Sequence, residues 1–452
     1  MRINYVIAAA VAGVLGVGVA NAAPTAAQAA AAPVKLWVGG SSAFKGAFGA
    51  AIAADLCGGA GNMTIFTSVP TPTVVGAADF NAYSCVQAAG KPQAGQLTTI
   101  YYRAEGGSAV GVYPVVNNTS IKYLDLTSCP GGSGGTLFCP VAGTSSANGN
   151  NDSWGAGTSN HALEVGFSDL EPGQFIGGNS PIGVYSAAFT GPAKTQTQLN
   201  AIPHSTLVQQ TFGIVINKTG NLAGVTNLSK SSVANLLAGF YADWNQVPNA
   251  GGTGSVTAAS TPVIICNREI GSGTRTAADL FFTNDQCNKG GAINAIANVE
   301  GAPLAAGYPV QPANNFATSE ELACVNSNPG AIGYVGADNV VPSATFPNAL
   351  NVTLDSVAST NLNTASGQYQ FAFEATLNKN NTAIALNPAA PSLVTYITGQ
   401  LQNISTTAQK ISVNALPGFA SNAVNFPLQQ VGVVYTTPFA RGGNSCSPMT
   451  EQ

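Results

Sequence analysis

Four short segments carry the residues that could do chemistry, and each stands where a strand should give way to a turn. Three are rich in Gly, Ser and Thr: Gly39 to Phe44, Gly106 to Ser108, and Gly271 to Thr274. The fourth is Ser168-Asp169, directly after the apolar run Leu163 to Phe167. Turns of this kind expose backbone N–H groups. Where a helix follows, its dipole adds partial positive charge, so such ends hold anions without needing net charge. The run Arg268-Glu269-Ile270-Gly271-Ser272-Gly273-Thr274 adds a guanidinium able to give two parallel hydrogen bonds to an oxyanion. Ser272 and Thr274 offer hydroxyls, and Gly273 admits the backbone closely. It is not a Walker A loop, because the lysine is missing.

The elements that must position these segments alternate strand and helix. Val34 to Val38 reads as a strand. Phe44, Phe48, Ile52 and Leu56 then recur at helical spacing, which makes strand, Gly/Ser turn, helix, the unit of α/β folds with a parallel sheet. Leu97 to Arg103, Thr211 to Ile216, Val263 to Cys266, Ala331 to Val335 and Gln370 to Leu377 read as further strands. Ser229 is a suitable N-cap for a helix to about Ala238, Ser319 for one through Leu322, and Leu393 to Leu401 is helical. Trp244 and Phe240 read as core, His161 and His204 as surface. In open α/β sheets ligands sit at the carboxyl ends of strands, where all four segments fall.

Composition bounds the compartment and the partners. Arg2, the apolar run Tyr5 to Val19 and Ala20-Asn21-Ala22 read as a cleavable signal peptide over residues 1–22, so a periplasmic or secreted protein is expected. Residues 23–33 read as an Ala-rich flexible linker, and no later stretch is long and charge-free enough to span a membrane. Eight Cys in an exported chain favour disulfides. Nearness along the chain suggests Cys57–Cys85 and Cys129–Cys139. None forms a CxxC pair and only two His are present, so a metal site is poorly supplied and no cofactor is expected. Charged residues make up 8% of the chain, without a basic patch, which argues against nucleic acid as a partner. Gly131 to Asn160, rich in Gly, Ser and Asn, reads as a long inserted loop.

Three of these runs together resemble one family. "LSKSSVANLLAGFYADWNQV" (Leu228 to Val247), "NREIGSGTRTAADLFF" (Asn267 to Phe282) and "NPGAIGYV" (Asn328 to Val335) are similar, in the same order, to motifs of the phosphate-binding proteins of high-affinity phosphate ABC transporters. The resemblance covers roughly Val34 to Leu416, with an insertion near 119–160. It implies an α/β, two-lobed type II periplasmic-binding-protein fold with two crossing hinge strands, here Thr211 to Lys218 and Tyr369 to Asn378. Lobe 1 would take residues 34–210 and 379–452, and lobe 2 residues 211–378.

By that resemblance Arg268 is the phosphate-binding arginine, and Ser272, Gly273 and Thr274 are donors at a helix terminus. Ser108 supplies a hydroxyl, and Ala43 and Phe44 stand for the Thr-Phe of the first loop. Asp169 accepts the proton of phosphate; sulfate, lacking that proton, would set acceptor against acceptor. Two positions depart from the pattern. Ala43 lacks the expected hydroxyl, which Ser42 could supply, and Ile270 stands where an acidic residue holds the arginine, a role Glu269 could take. Arg268 could otherwise pair with Glu269 or Asp279. The implied activity is phosphate binding for an ABC permease, not catalysis. The alternatives are a secreted phosphatase-like enzyme and an extracellular surface protein reusing the fold; the absence of a GxSxG elbow and of a dense Asp/His cluster argues against the enzyme.

Overall fold

The computed structural model describes residues 22–70, 78–142, 155–182, 191–249, 251–283, 287, 313–315, 317–402, 419–422, 429–431 and 434–451. The expected signal peptide, except its last residue, and the centre of the insertion lie outside the described residues.

The chain folds into mixed α/β layers around one large sheet. Its strands begin with β1 (Val34–Gly40), β2 (Met63–Thr67), β3 (Phe80–Val86), β4 (Leu97–Arg103), β5 (Ser120–Leu124), β6 (Gly135–Phe138), β7 (Thr158–Ala162) and β8 (Val165–Ser168). There follow β9 (His204–Asn217), β10 (Asn227–Leu228), β11 (Ile264–Arg268), β12 (Ala313–Asn315), β13 (Ala331–Gly336), β14 (Ala349–Leu354) and β15 (Ala372–Lys379). The order across the sheet is β12-β11-β13-β9-β15-β8-β1-β4-β3-β2-β6. β1 runs parallel to β4 and β8, and β11 runs parallel to β13 and β12. Each parallel group belongs to one lobe of the type II periplasmic-binding-protein fold.

The two lobes are joined by β9 and β15. The first half of β9 pairs with β15, from His204 opposite Asn378 to Thr211 opposite Ala372. Its second half pairs with β13, from Phe212 opposite Gly336 to Ile216 opposite Ile332. β9 starts seven positions before the expected crossing at Thr211, because its opening residues are polar and do not read as a strand. Gln209, Gln210 and Thr211 are nevertheless fully buried between the lobes. The expected boundaries at 210/211 and 378/379 fall within β9 and β15.

The helices follow the apolar spacing. Phe44, Phe48, Ile52 and Leu56 are buried along the helix Lys45–Ala51 and the π-turn Ile52–Leu56, packed with Leu36, Val38, Tyr102, Phe167, Leu393 and Ile397. Burying each such side chain contributes about 1.5–3 kcal/mol. Ser229 caps the helix Lys230–Leu237 by accepting from Ser232 N, whereas the helix Thr318–Ser327 starts one residue before Ser319, which lies inside it. Trp244 is core as expected, but Phe240 is 53% exposed. The Ala-rich stretch is not a patternless linker: Thr25 and Gln28 form a capping box for a helix Ala26–Ala30, and Ala26 and Ala29 are buried. Nor is Gly131 to Asn160 all loop, since β6 extends the sheet beside β2 and β7 pairs with β5.

Four disulfides join the eight cysteines: Cys57–Cys85, Cys129–Cys139, Cys266–Cys324 and Cys287–Cys446. The last ties down a C-terminal strap over the hinge. There Arg441 donates from Nε to Ala372 O (2.9 Å) and from its guanidinium to Gln370 O (2.8 Å), while its ring contact with Phe373 is 4.3 Å from the centroid. Ser445 N donates to Glu171 Oε1 at 2.8 Å, and Gln209 Nε2 to Met449 Sδ at 3.0 Å.

Candidate functional site

The carboxyl ends of β1, β4, β8 and β11 meet where the lobes face each other. β8 ends at Ser168, so Asp169 is the first residue of the turn, and it is buried. Its Oδ1 accepts a very short hydrogen bond from Ser41 Oγ, at the end of β1. Its backbone N donates to Ser108 Oγ at 3.1 Å. Gly273, from the other lobe, lies against the same two residues: a Cβ built there would collide with Ser108 Oγ and with Asp169 Oδ2. The lobes also touch through backbone, with Ala109 N donating to Gly271 O at 3.0 Å. Gly107 lies beside this contact at φ 61°, a left-handed conformation that favours glycine, and a Cβ there would just touch Gly271 O and Ser272 Cα at 3.4 Å.

Burial pushes the Asp169 carboxyl up to about 6, against the pull of the Ser41 hydroxyl, the Arg268 charge and the Ser108 hydroxyl. Arg268 is itself 1% exposed at the end of β11. Its NH1 donates to Thr318 Oγ1 at 2.8 Å, and its backbone N to Tyr334 OH at 3.3 Å. Asp279 pairs with Arg275 at 3.7 Å. Arg275 NH1 also donates to Arg268 O at 3.2 Å, which fixes the backbone beneath the guanidinium.

Several expected residues sit differently from their expected roles. At the first loop the Ser41 hydroxyl, next to the expected Ser42, is the one bonded to Asp169. Ser41 is held by Tyr102 OH, which donates to its carbonyl at 2.8 Å, and by its own N–H bond to Phe167 O at 2.9 Å. The Phe44 N–H donates to Ser41 Oγ at 3.0 Å, and the Phe44 ring packs 4.9 Å from that of Phe167 in the lobe core. Ala43 is buried beside it. Ser272 caps the helix Gly273–Ala278, accepting from Arg275 N at 3.4 Å, and Thr274 is buried in its first turn.

Another acid whose carboxyl feels the Arg268 charge is Glu321, fully buried on the helix Thr318–Ser327. Burial pushes it up to about 8, while Arg268 and the Tyr334 N–H, which donates to it at 2.8 Å, pull it down. Its sequence context, an apparently ordinary helical Glu, gave no signal. Ser41 was missed because two adjacent serines in one turn cannot be told apart without the backbone path.

The arrangement can hold a small anion that carries a proton. Hydroxyls, a guanidinium and close-approaching backbone supply donors, and one buried carboxylate supplies an acceptor. Among the described residues no group of three or more His, Cys, Asp or Glu gathers as a metal site.

Several solved structures are similar to this chain at low identity. One from Clostridium perfringens, described as a phosphate ABC transporter substrate-binding protein with bound phosphate, is 13% identical with a TM-score of 0.41, over 80% of this chain and 92% of that one. An ABC-type phosphate transport receptor from Vibrio cholerae is 18% identical with a TM-score of 0.30, over 52% and 78%. A phosphate-binding protein from Stenotrophomonas maltophilia is 18% identical with a TM-score of 0.31, over 50% and 68%. No curated protein matches the chain in sequence. Residues 174–399, which include Arg268, Ser272, Gly273 and Thr274, match the sequence model of a family described as a PBP superfamily domain. With half its length covered by that match, and with two α/β lobes joined by a pair of crossing strands, the chain belongs to the PBP superfamily.

Proposed function

We propose that the protein binds inorganic phosphate, or a similar protonated tetrahedral oxyanion, between its lobes for uptake by an ABC permease. The observation that carries this reading is the Asp169 carboxyl, buried at the meeting point of loops from both lobes. A desolvated carboxylate beside an anion is repulsive unless a proton joins them, and phosphate at neutral pH brings one where sulfate does not. Ser108, Arg268, Ser272, Gly273 and Thr274 are assigned as ligand contacts. Ser41 takes the place that the resemblance gave to Ala43, and Phe44 contributes mainly by holding Ser41. The same reading makes the protein exported, and a binder rather than an enzyme.

Calorimetric titration of the pure protein tests this. Phosphate should bind, and sulfate should bind about a hundredfold more weakly, the cost of an unpaired buried acceptor. Asp169→Asn should narrow that gap to less than about tenfold, because an amide can donate to sulfate. No heat with phosphate anywhere between about pH 5 and about pH 8 would remove the proposal. Metal-independent hydrolysis of a chromogenic phosphate ester, lost in Asp169→Ala, would replace it with the enzymatic reading.

A further inference from the structure

The site described above uses the carboxyl ends of four parallel strands, and others end on the same side. One of these is β13, which runs parallel to β11 and so ends on the same side as Arg268. The turn after it carries Asp338, which is half-buried. Asp338 Oδ1 accepts from Asn339 Nδ2 at 3.1 Å and stands so near Gly336 that a Cβ there would collide with it. The Gln210 amide nitrogen, on β9, borders the same point, 3.4 Å from that Cβ position. Gln210 is fully buried, yet neither polar atom of its side chain has a hydrogen-bond partner among the described residues. A buried amide with unspent donors and acceptors points to a ligand.

The charged groups that reach Asp338 come from the opposite lobe. They are Asp169, after β8, and Lys45, at the start of the helix Lys45–Ala51 and 3.4 Å from Asp79. Burial raises the Asp338 carboxyl to about 7; Asp169 adds to the rise, while its own N–H, Asn339 and Lys45 oppose it. Asp338 therefore lies within electrostatic reach of the carboxylate assigned to check the ligand's proton.

We propose that Asp338 is a second carboxylate against which the anion is gauged, so that the complex holds a proton in each of two carboxylate–anion contacts. Gln210 donates its amide to the anion beside them. This rests on the cleft being the site of a protonated tetrahedral anion. A doubly charged phosphate brings one proton, which satisfies Asp169. The second arrives either with a singly charged phosphate or on a protonated Asp338, and the two descriptions have the same composition. Once both the free anion and Asp338 have lost that proton, binding must take one up from solvent. Affinity then falls about tenfold per pH unit. A site with one carboxylate makes no such demand on the dianion.

Phosphate titrated into wild type and Asp338→Asn from about pH 6 to about pH 9, in buffers of differing ionisation enthalpy, decides the matter. Wild type should take up about one proton per anion at the alkaline end and weaken about tenfold per unit there. In Asp338→Asn both the slope and the uptake should vanish while alkaline binding persists. Wild type that binds phosphate without proton uptake above neutrality overturns the inference, and this readout stands even if the variant fails to fold. A folded variant that keeps the wild-type slope overturns it as well. No phosphate binding by wild type at any pH removes the underlying reading too, which separates the two failures.

Discussion

At the scale of single residues, the cleft depends on atoms that are missing. Gly273 has no room for a methyl group: Ser108 Oγ and Asp169 Oδ2 occupy the space a Cβ would need, and the collision would be with short, buried side chains that cannot swing away. Gly273→Ala should therefore push the two lobes apart at the site. Phosphate affinity is expected to fall by at least about a hundredfold, while the melting temperature drops only modestly, because the clash sits at a surface between lobes rather than inside one. An unchanged affinity would mean that the lobes do not close in this way. The Gly-Ser-Gly run was legible as a close-approach turn. What it approaches was not, since Ser108 and Asp169 lie far from it along the chain. Asp338 and Gln210 were illegible for a related reason. A lone Asp in a turn and a Gln in a polar stretch carry no pattern, and only the meeting of β9 with β13 brings them together.

At the scale of elements, β1, β8 and the turn after Ser108 are stacked at van der Waals limits. A Cβ on Gly166 of β8 would strike Gly111 O, and one on Gly111 would strike Phe167 O. These are backbone atoms, so nothing flexible can yield. Gly166→Val should destabilise the protein by more than about 3 kcal/mol, seen as a large fall in the urea midpoint or as loss of soluble protein. The strand itself was readable from its apolar run, and so were the helix after β1 and the Ser229 cap, because periodicity and capping are local. The start of β9 was not, because its inward-facing residues are Gln and Thr. These residues lie buried where the lobes join, and one of them, Gln209, is bonded to the C-terminal strap.

At the scale of the whole molecule, buried carboxyls set how stability responds to pH. Burial raises Asp169 to about 6, Asp338 and Glu164 to about 7, and Glu321 to about 8. Each folded value lies above the ordinary carboxylate range, so between that range and about pH 8 the folded state holds more protons than the unfolded one. Stability from these groups is therefore fully present only below the ordinary carboxylate range, and is lost progressively as pH rises from there through the folded values of about 6 to about 8. The ligand-free protein should melt at a higher temperature near pH 5 than near pH 8, by scanning calorimetry in dilute buffer. A melting temperature that rises with pH across this window would show these carboxyls to be ionised in the fold.

The strap has a consequence for how such a molecule comes into being. The carbonyls of Gln370 and Ala372 accept from Arg441, and Cys287 is bonded to Cys446. Asp169, Arg268 and Gly273 all precede Arg441 and Cys446 along the chain, so the joint between the lobes is finished by residues made later than those of the cleft. A nascent chain can thus hold every residue proposed to touch the anion and still have an unfinished hinge, which is closed only once Cys287 and Cys446 have been oxidised to a disulfide.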